Sequence, residues 1–103
     1  MIGSFIVDVV ITGDEAFVTC SGEFDLATAD RFREGIAQAL AAGTRHLHVD
    51  CSGVTFIDSI GIRALLHTAT SCRDGHTVLT LNMSPQMQQL FDTVGVTELF
   101  TLV

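Results

Sequence analysis

An apolar run from Leu47 to Ile57, broken at Ser52-Gly53, passes without a linker into an amphipathic helical pattern that begins near Ser59. A strand that feeds directly into a helix narrows the possible folds. It points to parallel strands joined by helical crossovers, with helices covering the sheet. The junction reads Phe56-Ile57-Asp58-Ser59-Ile60-Gly61. It places a serine hydroxyl at a helix N-terminus with an aspartate directly before it. Backbone N–H groups and the helix dipole favour negative charge at such a point. A phosphate on Ser59 is therefore compatible with the fold, while changing the surface by nearly two charges. The bland reading stands beside it: Asp58 can cap the helix, and Ser59 can be no more than a capping hydroxyl.

The rest of the chain repeats the alternation. Phe5, Val7, Val9 and Ile11 alternate with Ile6, Asp8 and Val10 as in a strand. Gly13-Asp14 turns the chain toward a partner strand at Ala16 to Ser21. After the polar break Gly22-Glu23-Phe24-Asp25, Thr28 is a candidate N-cap for a helix with Ala29, Phe32, Ile36, Ala39 and Leu40 on its apolar face, stopped by Gly43. His46 to Cys51 is a third strand, a helix from about Ser59 to Cys72 ends at Asp74-Gly75, and Val78 to Leu81 is a fourth strand. Ser84-Pro85 combines a capping hydroxyl with proline at the first helical position. The helix it opens carries Met87, Leu90, Phe91 and Val94 and ends at Gly95. Leu99 to Val103 reads as a last short strand. The order implies one α/β domain over residues 1–103, a mixed, mostly parallel sheet with helices mainly on one side. Both polar breaks follow strands and precede helices, so Glu23, Asp25, Asp58 and Ser59 should share one end of the sheet, where sites in such folds collect.

Composition excludes several roles. The chain has 103 residues, no lysine, and five arginines against twelve acids, for a formal charge of −7. That is no footprint for direct nucleic-acid binding or for electrostatic attachment to an anionic membrane. Hydrophobic content of 48% argues for a filled core rather than disorder. The N-terminus lacks the pattern of a signal peptide and no segment approaches a membrane span, which implies a cytoplasmic protein. Cys20, Cys51 and Cys72 fit no zinc spacing and are expected as reduced structural thiols.

The enzyme case is weak. A nucleophile elbow needs glycine two residues before and after the serine; Gly61 fits, but Ile57 holds the other position. Glu23 and Asp25 form a possible acid/base pair without a pocket signature. Without lysine there is no phosphate-binding loop of the GK type. His46 and His48 share a strand face at two-residue spacing, but with no third ligand in view they read as edge polar residues, and no metal or cofactor is expected.

Taken together, these residues resemble a STAS domain, specifically the stand-alone bacterial anti-sigma factor antagonists. Gly22-Glu23-Phe24-Asp25 looks like that family's G-E-[LF]-D turn, continued by Leu26-Ala27-Thr28-Ala29. Leu47 to Ile57 looks like its buried strand. Asp58-Ser59-Ile60-Gly61 resembles its D-S-[ST]-G phosphorylation motif, and Ser84-Pro85 through Gly95 its last core helix. The resemblance implies an antagonist that binds an anti-sigma factor with GHKL-type serine kinase activity and so frees a sigma factor, in stress response or sporulation. Phosphorylation of Ser59 would end the complex, and a PP2C-type phosphatase would restore it. It further implies a partner surface of Glu23, Asp25, Asp58, Ser59, Ile60 and Gly61, with Gly61 allowing close approach of the partner. Ile60 departs from the family's usual serine or threonine. That departure keeps open a scaffold or sensor-complex STAS protein that is never phosphorylated. The STAS subunit of a lipid transporter, or a weak nucleotide binder, are further alternatives.

Overall fold

The computed structural model describes residues 5–94. Seven elements follow one another: β1 (Phe5–Thr12), β2 (Glu15–Phe24), α1 (Ala29–Ala41), β3 (His46–Ile57), α2 (Ser59–Asp74), β4 (Val78–Met83) and α3 (Pro85–Val94). The expected end of the last helix at Gly95 and the short strand at Leu99 to Val103 lie outside the described residues. The four strands form one sheet in the order β1-β2-β3-β4. β1 and β2 are an antiparallel hairpin closed at Gly13-Asp14, and β2–β3 and β3–β4 are parallel. This is the mixed, mostly parallel α/β sheet that the alternation implies.

One face of the sheet is dry. Ala16, Val18 and Cys20 of β2, Leu47, Val49 and Cys51 of β3 and Leu81 of β4 are buried together with Phe32, Ile36 and Ala39 of α1, Leu65 and Cys72 of α2, and Met87 and Phe91 of α3. Phe24 holds the centre of an aromatic cluster, 5.0 Å from Phe5 and 4.9 Å from Phe32 by ring centroids. The other face is open: Ile6 and Val10 of β1, Phe17 of β2 and Val78 of β4 are exposed. Alternation within β1 and β2 thus sends one set of apolar side chains into the core and leaves another on the surface.

β4 continues from Leu81 to Met83, and β2 and β3 run past the polar breaks in their sequence patterns. The Ser52-Gly53 interruption does not end β3, and Gly22-Glu23 does not end β2. Instead the pairing slips twice, between Thr19 and Ser21 and between Gly22 and Glu23, and each time β3 spends one residue more than β2. These are β-bulges. Gly22, at φ 100°, takes a backbone conformation that side chains disfavour. The extra residues break strict alternation, so β3 buries Leu47, Val49, Cys51, Val54 and Ile57, at spacings of two and then three.

Helix ends follow local chemistry at the start of α3, and depart from it at the end of α2 and at the Thr28 start of α1. Ser84 Oγ accepts from Met87 N at 3.3 Å, so the Ser84-Pro85 start of α3 is a cap as expected. At the end of α2 it is His76, not Gly75, that adopts the left-handed conformation, at φ 58°. His76 N donates to Arg73 O at 3.2 Å and Thr77 N to Cys72 O at 2.8 Å, which closes the helix in the Schellman manner.

Candidate functional site

The carboxyl ends of β2 and β3 lie side by side, because Phe24 pairs with Ile57 and Asp58 N donates to Phe24 O at 3.2 Å. The two polar stretches singled out in the sequence therefore meet at one end of the sheet. Asp58 is the N-cap of α2: its Oδ1 accepts from Ile60 N at 2.9 Å and Gly61 N at 3.0 Å. Ser59 is the first helical residue and is exposed. The capping carboxylate already engages two of the helix's initial N–H groups. A phosphate on Ser59 would compete with it for these donors, so the stable direction for the added charge is outward, toward solvent or a partner.

Asp25 and Thr28 form the neighbouring turn. Asp25 Oδ1 accepts from Ala27 N at 3.0 Å and lies 3.2 Å from the Thr28 hydroxyl oxygen. Thr28 stands at the N-cap position of α1 but makes no side-chain cap bond to the helix. Its hydroxyl faces the turn instead, accepting from Asp25 N at 2.9 Å and lying 2.8 Å from Glu23 O as donor. Asp25 is thus a turn-forming residue as well as a surface acid. Asp25→Ala is expected to cost about 1 kcal/mol, in the range of lost capping interactions. A chemical denaturation curve with a midpoint equal to wild type would contradict this role.

Gly61 has a different position from the one the family resemblance suggests. It is buried, and a Cβ placed there would lie 2.7 Å from Ile57 Cγ1 and 2.8 Å from Phe24 O. The space left by its missing side chain is filled from within, by β2 and β3. The groups that do face outward include two that the sequence did not single out, Leu26 (73% exposed) and Phe56 (51% exposed). Phe56 pairs across the ladder with Glu23, and Ile60 is partly buried against the core. Leu26 follows Asp25 directly. The end of the sheet therefore offers apolar side chains framed by Glu23, Asp25 and Asp58. Phe56 was unreadable as a surface residue because strict alternation with Val54 breaks only through the bulge.

The other candidates fall elsewhere. His67 lines a shallow groove between α1 and α2 with Arg33, Ile36 and Ser71, away from the capped end of α2. Cys20, Cys51 and Cys72 are free and buried. The thiol contact with Cys20, followed by burial, pushes Cys51 well above the ordinary thiol range, and burial pushes Cys72 up. Both thiols are thereby held in the unreactive protonated form. Among the described residues no helix is long and apolar enough to cross a membrane.

Comparison with known proteins agrees with this architecture. The chain is 28% identical over 91 residues to an anti-sigma-B factor antagonist of Staphylococcus epidermidis, covering 86% of this chain and 84% of that protein. It is 36% identical over 63 residues to the anti-sigma-F factor antagonist RsfB of Mycobacterium tuberculosis, covering 61% of this chain and half of that protein. An anti-sigma factor antagonist from Mycobacterium paratuberculosis has the same fold, with a TM-score of 0.84 at 24% identity over 96% of this chain and 85% of that one. A family model described as "Mlab, STAS domain" matches residues 7–103, and the chain belongs to that family of STAS domains.

Proposed function

We propose that this protein is an anti-sigma factor antagonist, a regulatory binding module and not an enzyme, whose partner surface is the end of the sheet around Ser59. In this reading it binds an anti-sigma factor with GHKL-type serine kinase activity and frees the sigma factor. Phosphorylation of Ser59 ends the complex, and a PP2C-type phosphatase resets it. The observation that carries the reading is the state of Ser59: exposed, at the first position of α2, beside a carboxylate that already satisfies the helix end. The names of the Staphylococcus and Mycobacterium relatives support the same role.

The surface has the parts such a contact needs. Leu26 and Phe56 supply apolar area whose burial favours association, while Glu23, Asp25 and Asp58 supply charge for orientation. Ser59 sits among them, so a phosphate acts at the interface itself. Ile60 keeps the hydrophobic contact of α2 with the core and leaves Ser59 as the hydroxyl of the motif.

Intact-mass analysis after incubation with ATP and candidate anti-sigma kinases tests this, with Ser59→Ala beside wild type. One added phosphate in wild type and none in the variant is the expected result. Partner binding without modification by any kinase would favour the second reading, a STAS scaffold that is never phosphorylated; the observation on its side is Ile60 at the position after the serine. Co-purification with an ATPase and a permease would instead point to the lipid-transporter subunit.

A further inference from the structure

The open face of the sheet, remote from Ser59, brings together three side chains that the sequence keeps apart. Strand register puts Thr12, Glu15, His46 and Val78 in one row and Val10, Phe17, His48 and Thr80 in the next. Glu15, His46 and His48 each turn one ligand atom inward, and the three atoms lie within 4.8 Å of one another. His48 Nε2 and Glu15 Oε1 are 2.8 Å apart, and the other nitrogen, Nδ1, is 3.0 Å from Thr80 Oγ1. Two histidines alone on a strand read as edge polar residues. The third ligand comes only from the neighbouring strand.

We propose that Glu15, His46 and His48 form a binding site for a divalent transition-metal ion, Zn2+ by its donor set. Two imidazole nitrogens and one carboxylate oxygen match the ligands of open zinc sites, with a fourth position left for water or a partner's side chain. The hard cations Ca2+ and Mg2+ call for more oxygen donors.

An independent observation points the same way. Among the described residues, His46 Nε2 is buried and has no hydrogen-bond partner. Native structures rarely leave such an atom unsatisfied, and a metal ion is the partner that the adjacent ligands would share with it. The surroundings are already arranged as a supporting shell. The His46 and His48 rings stack at 3.9 Å with an 18° interplanar angle, and Phe17 stacks on His48 at 4.5 Å and 5°. Phe17 walls the site with apolar surface, and the two imidazoles splay from their stack for their in-plane lone pairs to meet at one ion. Thr80 has the second task of a metal-site neighbour, fixing the tautomer of a ligating histidine. In the metal-free site His48 Nε2–H donates to Glu15 and the Thr80 hydroxyl donates to Nδ1. With metal on Nε2, the ring proton resides on Nδ1 and donates to Thr80 Oγ1. The hydroxyl serves either arrangement and no net proton is lost. Four-coordinate zinc holds its ligand atoms about 3.3–3.5 Å apart. The Glu15–His48 pair, now 2.8 Å apart, therefore opens by about 0.5 Å around the ion while wider pairs close by up to about 1.4 Å, adjustments within reach of the half-exposed Glu15 side chain.

The site does not rest on the anti-sigma reading. His48 and Ile57 are nine residues apart along β3, so it lies roughly 25–30 Å from the Ser59 end at about 3.3 Å per strand residue. The test is titration of Zn2+ alone into the full chain in chelator-free buffer by calorimetry, with histidine NMR signals and Co2+ absorption as further readouts. One equivalent is expected to saturate wild type, shifting the ring signals of His46 and His48 but not those of His67 and His76. His46→Ala and His48→Ala should each weaken binding at least tenfold. Thr80→Val should weaken it about 10- to 100-fold, as for other groups that orient ligating histidines. Glu15→Gln, on a half-exposed side chain that the fold does not need, should also lose at least tenfold affinity while keeping the wild-type circular dichroism. Ser59→Ala should bind as wild type does, which separates this proposal from the previous one. Absence of saturable binding in wild type, ring shifts at His67 or His76 instead, or full affinity in Glu15→Gln and His48→Ala would overturn it.

Discussion

Gly61→Ala is expected to lower the melting temperature by roughly 8–16 °C, a large effect for a single methyl group. The new Cβ meets Phe24 O at 2.8 Å, a backbone atom that cannot rotate away, as well as Ile57 Cγ1 at 2.7 Å. Overpacking of this kind costs about 3 kcal/mol. Alanine's better helix propensity returns about 1 kcal/mol. The net of about 2 kcal/mol corresponds to that temperature interval in a domain of this size. Relief requires the first turn of α2 to lift off β2, which also moves Asp58 and Ser59. Thermal melting followed by circular dichroism checks the effect. A melting point within 2 °C or so of wild type would show that the first turn of α2 can yield without cost.

Phosphorylation of Ser59 is expected to weaken partner binding about thirtyfold or more while leaving the fold unchanged. A doubly charged phosphate about 8 Å from one carboxylate costs about 4 kcal/mol at an effective dielectric of about 20. Salt screening reduces this. Half of it still corresponds to roughly a thirtyfold loss of affinity. Ser59→Glu carries one charge and should show a smaller loss, and Ser59→Ala should bind constitutively. Because the Asp58 carboxylate already occupies the Ile60 and Gly61 N–H groups, the phosphate has little reason to reorganise the helix end. Amide NMR spectra before and after modification should superpose outside residues 56–66. Equal affinity of Ser59→Glu and wild type would remove charge as the operating principle, and shifts spread across the sheet would remove the interface mechanism.

The two predictions separate what was readable in the chain from what was not. Asp58 as a cap, Ser84-Pro85 as a helix start and the meeting of Glu23–Asp25 with Asp58–Ser59 were legible, because each follows from bonds between near neighbours or from element order. Glu15 is not legible as a ligand, since 33 residues separate it from His48 and only strand register closes that gap. Gly61 was legible as a position that tolerates close approach, but what approaches it is Phe24, from another strand. Asp25 was legible as part of a polar break after a strand, while its turn bonds depend on where the Thr28 hydroxyl points. The left-handed residue that closes α2 is His76, one position past the Asp74-Gly75 stop legible in the sequence.

By itself the sequence determined the order of strands and helices, the helix starts and the composition of one capped serine end. Those features depend on periodicity and on side chains reaching their own backbone. The tertiary structure decided the bulges that carry β3 past Ser52-Gly53, the outward placement of Leu26 and Phe56, and the row that sets Glu15 beside His46. These depend on which residue of one strand faces which residue of the next. That register is chosen by the packing of the whole dry face at once, and no local stretch of chain contains it.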